Sequence, residues 1–122
     1  MKLFKGKEFR DFNNPTPGAV HRSDILVKED GAKELGGMFA LLEPGKHIPL
    51  HHHERRETII VVITGEAMEM IEGEEFPIEA GDVLFIPPGE RHAMFNRSDH
   101  AFRYMEFFTY PPGEADFVLD TK

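Results

Sequence analysis

The sequence predicts an all-β fold, a sandwich or a barrel of antiparallel strands. Short runs of β-branched and aromatic residues recur along the chain, separated by Gly, Pro and Asn, and a helical period is hard to find. Closely spaced turn signals are typical of hairpin-connected sheets. Nine runs are expected to form strands: 20–27, 37–43, 48–53, 58–64, 67–71, 75–78, 83–86, 92–95 and 102–108.

The breaks between these runs have chemical causes. Pro44-Gly45 and Pro87-Pro88-Gly89 cannot continue a ladder, because Pro lacks an N–H donor and Gly favours turn dihedrals. Glu72-Gly73-Glu74 predicts a tight hairpin between two short strands, and Thr64-Gly65-Glu66 predicts another hairpin just before it.

The composition describes an ordinary globular protein and excludes several classes of partner. The 122 residues fit one domain, and 40% hydrophobic with 30% charged residues is far from the composition of a disordered chain. The net charge of −8, from 22 acidic and 14 basic residues, repels phosphate backbones and anionic lipids, so we expect no nucleic-acid partner. Without Cys, disulfides and thiolate chemistry are excluded.

The chain is expected to divide into an arm of residues 1–19, a barrel of residues 20–110 and a tail of residues 111–122. Phe4, Phe9 and Phe12 of the arm need burial, either on their own barrel or on a neighbouring subunit. No apolar run approaches the roughly 20 residues that span a bilayer, and the first residues do not resemble a signal peptide. We therefore expect a cytoplasmic protein without a membrane partner.

Three consecutive histidines carry the first chemical signal. Alternate residues of an extended segment share one face, so His51 and His53 point together and His52 points away. If the extended geometry continues, Glu57 joins the same face by parity. Imidazoles and a carboxylate together suit Fe, Mn, Co, Ni or Zn, and a mixed set with open coordination positions serves metal-assisted chemistry.

A second segment strengthens the case and points to a family. Gly81 is followed after five residues by Pro87, then after one by Gly89, after two by His92 and after three by Asn96. This spacing resembles the second motif of the cupins. The first cupin motif is matched by Gly45, five residues, His51, one residue, His53, three residues, Glu57, and seven residues to Gly65, where the family usually has six.

The resemblance covers roughly residues 35–110 and implies the cupin fold, a double-stranded β-helix or jelly-roll barrel. It also implies that His51, His53, Glu57 and His92 converge on one divalent transition metal, Fe, Mn, Ni, Zn or Co, and that the protein forms a homodimer. The extra residue before Gly65 is either a β-bulge or a sign that Thr58 holds the usual ligand position, which leaves three imidazoles on the metal.

Other residues are weaker candidates for the site. His47 shares the parity of His51, although the Ile48-Pro49 step can rotate it away. Tyr104 and Glu106 share one face of a strand, and either is a candidate proton relay or hydrogen-bond partner of a substrate. Met68 and Met70 are expected to point into the barrel, mostly as core.

Cupins catalyse many reactions, so the fold does not define the activity. The leading hypothesis is a metal-dependent enzyme of the dioxygenase or decarboxylase type, with an isomerase as a further possibility. Its expected substrate is a small organic acid, a sugar derivative or an aromatic compound. The alternative is a small-ligand binding or sensor module with a non-catalytic metal. A third possibility is a metal-free barrel used for assembly.

Overall fold

The computed structural model describes residues 1–109 and 116–120. Within these residues the chain forms a short helix, α1 Gly6–Arg10, a single 3-10 turn at Lys28–Asp30, and ten strands. The strands are β1 His21–Leu26, β2 Leu35–Leu42, β3 His47–His52, β4 Thr58–Thr64, β5 Glu66–Ile71, β6 Glu74–Glu79, β7 Val83–Ile86, β8 His92–Phe95, β9 Phe102–Thr109 and β10 Val118–Leu119.

The strands form two five-stranded sheets that pair antiparallel throughout. The first sheet has the order β1-β2-β9-β4-β7, and the second has the order β10-β3-β8-β5-β6. From β2 to β9 the chain alternates between the sheets, except for the hairpin of β5 and β6, and so winds around a common interior. This arrangement confirms the predicted all-β double-stranded β-helix.

All nine predicted strands are present, with ends that differ by at most two residues. Three elements were not predicted: α1, the 3-10 turn at Lys28–Asp30, and β10. Strand β10 has two residues, which is too short for any periodicity, and it exists because Val118 and Leu119 pair with His52 and His51 of β3. The division into an arm, a barrel and a tail stays a prediction, and the tail lies partly outside the described residues.

The aromatic residues of the N-terminal segment pack on the barrel of their own chain. The rings of Phe9 and Phe12 lie 5.1 and 5.2 Å from that of Phe39, and Phe4 lies 5.7 Å from Phe107. The Arg103 guanidinium donates two hydrogen bonds to the carbonyl oxygen of Phe12. These contacts cover the outer face of β2, which explains why this strand is buried on both faces.

The barrel interior is apolar at one end and polar at the other. Inward-facing residues alternate along each strand, as Ile60 and Val62 do in β4. Ile48, Ile60, Met94 and Tyr104 belong to the apolar core and also line a polar cavity that is described below. The other core residues are Ala40, Leu42, Val62, Ala67, Ile78, Ile86 and Phe102.

One of the two hairpins predicted from Gly residues is present and the other is not. Ile71 pairs with Glu74, so Glu72 and Gly73 form a two-residue loop, and both have positive φ, at 47° and 88°. The chain at Gly65 instead crosses from β4 in the first sheet to β5 in the second, so the prediction of a hairpin there was wrong. A single Gly with positive φ satisfies both a hairpin and a crossover, which is why the sequence did not distinguish them.

Among residues 1–109 and 116–120, no helix is long and apolar enough to cross a lipid bilayer.

We predict that Gly65→Ala destabilises the fold far more than Gly73→Ala. Both Gly residues have positive φ, but a Cβ atom on Gly65 would lie 2.5 Å from the carbonyl oxygen of Ala101, whereas a Cβ atom on Gly73 meets nothing within 4 Å. The expected losses in the free energy of unfolding are about 3 kcal/mol or more for Gly65→Ala and about 1 kcal/mol for Gly73→Ala. Urea denaturation measures both, and equal losses would contradict the close backbone approach.

Candidate metal centre

His51 lies near the end of β3 and His53 directly follows the strand, and both face the same cavity. Their ring centroids are 5.0 Å apart, and both side chains are buried. His52 lies on the opposite face, where its Nδ1 is 2.9 Å from Oδ2 of Asp120. The structure thus separates the three consecutive histidines into two that face inward and one that faces outward, as strand geometry requires.

His92 reaches the same cavity from strand β8, which pairs with β3. In this pairing His51 lies opposite His92, and the two ring centroids are 4.1 Å apart. The His92 ring is 5.4 Å from that of His53. One ring nitrogen from each of the three histidines lies within 4.8 Å of the others, so the group is compact enough to hold one metal ion.

Each of these imidazoles is held by a hydrogen bond to a backbone carbonyl. Nδ1 of His51 is 2.7 Å from the oxygen of Pro49, Nδ1 of His92 is 3.1 Å from that of Glu90, and Nδ1 of His53 bonds the oxygen of Asp116. A carbonyl oxygen only accepts, so Nδ1 carries the proton in all three rings. The lone pair is therefore on Nε2, and Nε2 of His53 is buried without a hydrogen-bond partner in the described part of the chain.

The electrostatics of the cluster keep the three rings neutral. Burial and the neighbouring His92 lower the pKa of His51 to about 3, and burial lowers the pKa of His53 to about 4. Burial also lowers the pKa of His92. Neutral imidazoles with free lone pairs are the form that binds a metal ion, so the donor set fits a divalent transition metal.

The expectation that Glu57 lies beside these histidines does not hold. The chain turns at residues 54–57 instead of continuing as a strand. The backbone N–H groups of Glu54, Arg55 and Arg56 all donate hydrogen bonds to the carboxylate of Asp116, over distances of 2.7 to 2.9 Å. Parity counted along a strand fails across such a turn. Glu57 is exposed, donates its N–H to Oγ1 of Thr109, and is not part of the compact group.

Thr58 takes the inward position that was expected for the carboxylate. It begins β4, is 1% exposed and shares its face with Ile60. Its hydroxyl has no hydrogen-bond partner among the described residues. Both explanations for the extra residue before Gly65 find a counterpart in the structure. Thr58 holds the inward position, and the pairing of β4 with β9 has a register shift between Val62 and Thr64.

The histidine cluster opens into a cavity of about 50 Å³ that contains two of the three other candidate residues. Tyr104 and Glu106 line it from β9, but His47 is exposed and stacks on Phe95, with centroids 5.7 Å apart. The cause is a register shift between Ile48 and His51 that places the bulge at Pro49 and Leu50. The remaining lining residues are Arg22, Met38, Ile48, Arg56, Ile60, Glu69, Met94 and Phe117.

Glu69 was missed by sequence reasoning. It is 0% exposed on β5, and neither carboxyl oxygen has a hydrogen-bond partner among the described residues. The prediction that Met68 and Met70 face inward was wrong, since Ala67 and Glu69 are buried and the two methionines are half-buried on the other face. The signal that could have found Glu69 is the alternation of inward and outward residues along β5, which places Ala67 and Glu69 on one face. The apolar character of Met68 and Met70 favoured the opposite assignment of faces.

The acidic groups of the cavity are shifted towards their neutral forms. Burial, then the neighbouring Glu106 and Glu90, raises the pKa of Glu69 to about 9. Burial raises the pKa of Glu106, although Arg56 and Arg22 lower it. Burial, then Glu106, also raises the pKa of the Tyr104 hydroxyl. These groups line one cavity together with the guanidinium groups of Arg22 and Arg56.

A double-stranded β-helix with three convergent, neutral imidazoles in its interior defines a class of small barrel proteins with an internal metal-binding site. The family model of the cupin domain matches residues 38–108. The chain belongs to the cupin family.

Individual relatives extend the comparison over most of the chain. The oxalate-binding protein of Thermotoga maritima is 31% identical over 90 residues, which are 72% of this chain and 74% of that protein. Gentisate 1,2 dioxygenase 1 of Aquipseudomonas alcaligenes is 31% identical over 103 residues, 79% of this chain but 30% of that enzyme. An uncharacterized conserved Klebsiella pneumoniae protein with a double-stranded β-helix domain has a TM-score of 0.79 and 26% identity, covering 100% of this chain and 99% of that one.

We predict that Asp116→Ala destabilises the protein by about 2 to 3 kcal/mol, because three backbone N–H groups lose a charged acceptor. Although burial raises the pKa of Asp116, these N–H donors lower it, and the net shift is downward. Urea denaturation measures the loss, with Asp120→Asn as a control that alters one contact, to His52. Equal stability of the two variants would contradict the capping role of Asp116.

Proposed function

We propose that this cupin is a metal-dependent enzyme, of the dioxygenase or decarboxylase type, that acts on a small organic acid. The observation that carries the proposal is the convergence of three neutral imidazoles, with their Nε2 lone pairs available, in a cavity lined by two arginines. The proposed metal ligands are His51, His53 and His92, and the proposed ion is one of Fe, Mn, Ni, Zn or Co. A bound ion of this kind supplies Lewis acidity or activates dioxygen.

The charge of the cavity supports an anionic substrate. Arg22 and Arg56 both line the cavity, whereas the three imidazoles and Glu69 are neutral. Even with Glu106 ionised, the two guanidinium groups give the cavity lining a net positive charge. A bound divalent ion would increase this charge. A carboxylate is therefore attracted into the cavity.

The size of the cavity supports a small substrate. About 50 Å³ compares with the roughly 10 to 15 Å³ that a cavity needs to hold one water molecule. A two- or three-carbon acid fits this space better than a sugar derivative or an aromatic ring. Oxalate is such an acid, and it is the compound in the name of the Thermotoga maritima relative.

The second candidate is a binding module in which the metal anchors a ligand without turnover. One observation favours it: that same relative is named for binding oxalate rather than for converting it. The two candidates share the metal and the cavity and differ only in whether product forms. A homodimer and a cytoplasmic location stay predictions, although the aromatic residues of the arm pack on their own barrel and give no separate reason for pairing.

We predict that His51→Ala, His53→Ala and His92→Ala each abolish stoichiometric metal retention, because each removes one of three nitrogen ligands. His52→Ala, which alters the adjacent outward-facing imidazole, and Glu57→Ala, which removes the exposed carboxylate, keep the metal. Elemental analysis after dialysis measures all five variants. Equal loss from His52→Ala would contradict the assignment of faces, and loss from Glu57→Ala would place that carboxylate on the ion.

Turnover separates the two candidate functions. We expect protein loaded with Fe or Mn to consume dioxygen or release carbon dioxide with at least one acid from a panel of small mono- and dicarboxylates. The control is His53→Ala, which is expected to be inactive. Tight binding of an acid by the metal-loaded protein without product would favour the binding module instead.

A further inference from the structure

Glu69 is an unusual residue for a barrel interior. Its side chain is fully buried, and both carboxyl oxygens lack a hydrogen-bond partner among residues 1–109 and 116–120. Burying a polar group without a partner is unfavourable, so the fold alone gives no reason for a carboxyl group at this position. Glu69 also lines the cavity beside the three histidines, which is where a partner from outside the chain would have to bind to reach it.

The surroundings of Glu69 determine which partner it can take. It lines the same cavity as the three histidines, and the charged groups that act most strongly on it are acidic, Glu106 on β9 and Glu90. The pKa of Glu69 is raised to about 9 by burial and these neighbours, which favours the protonated carboxyl group. A protonated carboxyl group has an O–H donor, and no residue that the structure describes accepts a hydrogen bond from it.

We propose that Glu69 is the ligand-binding acid of the cavity, a neutral carboxyl group that donates a hydrogen bond to an oxygen of a small carboxylate held beside the three histidines. The inference rests on the proposed function, because it takes the ligand to be a small carboxylate. Two guanidinium groups that line the cavity supply charge, and Glu69 supplies a directional donor from β5, which pairs with the His92 strand β8. A carboxylate only accepts hydrogen bonds, so it complements a neutral acid and is repelled by an ionised one.

Glu69 is not assigned to the metal. The compact group of ligand atoms contains His51, His53 and His92 and does not include either Glu69 oxygen. The role of Glu69 is therefore to contact and orient the ligand, and its removal leaves the imidazole set intact.

The experiment compares Glu69→Leu, which removes the donor, with Glu69→Gln, which keeps a neutral donor of similar shape. Oxalate is the probe, titrated calorimetrically into the full-length protein with and without Mn²⁺, and elemental analysis gives the metal content. The control is Glu66→Gln, which makes the same change on an exposed residue of the same strand. Thermal unfolding of the metal-free variants provides a readout that is independent of binding.

We expect Glu69→Leu to bind oxalate about tenfold more weakly, as loss of one hydrogen bond implies, while Glu69→Gln stays within about threefold of the wild-type protein. All variants retain Mn²⁺. Glu69→Leu is also expected to raise the Tm by roughly 5 °C, because it removes an unpartnered buried polar group. A purely structural residue would instead lose stability when replaced.

Each contrary result overturns the proposal in a recognisable way. Loss of Mn²⁺ from either variant makes Glu69 a metal ligand, and much tighter oxalate binding by Glu69→Gln shows that Glu69 is ionised. Unchanged binding by Glu69→Leu, or failure of the wild-type protein to bind oxalate, removes the contact altogether. If the wild-type protein retains no metal, the proposed function fails. The role of Glu69 is still decided in that case by comparing the oxalate affinities of metal-free Glu69→Leu and Glu69→Gln.

Discussion

The pairing of β3 with β8 is the constraint on which the site depends. It sets His51 opposite His92, and the register shift between Ile48 and His51 determines which residues of β3 face the interior. Without the bulge at Pro49 and Leu50, His47 would share a face with His51 by simple alternation. With the bulge, the apolar Ile48 takes the inward position and His47 lies on the surface against Phe95. One inserted residue therefore decides which histidines can meet.

The polar cavity is unfavourable in isolation and depends on the rest of the barrel for stability. Three uncharged imidazoles, Glu69 and the Tyr104 side chain are desolvated there, and Nε2 of His53 and both oxygens of Glu69 have no partner among the described residues. The apolar end of the barrel offsets this cost, since each fully buried aliphatic or aromatic side chain contributes about 1.5 to 3 kcal/mol. Such an arrangement is typical of functional sites, where groups are kept poised for a ligand rather than paired with each other.

The C-terminal segment completes the site from a remote part of the sequence. Asp116 holds the turn at residues 54–56 with its carboxylate and orients His53 with its carbonyl oxygen. Phe117 stacks on His51, with ring centroids 4.5 Å apart, and forms part of the cavity wall. Strand β10 then pairs with β3, so the segment that carries Asp116 and Phe117 is tied to the strand that carries the two histidines.

The sequence by itself determined the strands, the fold class and the three imidazoles, because strand periodicity and motif spacing are local properties. Alternation separates His51 and His53 from His52, and the spacing from Gly81 to Asn96 identifies the segment that brings His92. Where local geometry stopped being regular, prediction failed: Glu57 follows a turn formed around a distant carboxylate, and Gly65 is a crossover rather than a hairpin. Only the tertiary structure placed Thr58, Glu69 and Asp116, since their roles depend on which strands meet across the barrel and on how deeply these side chains are buried.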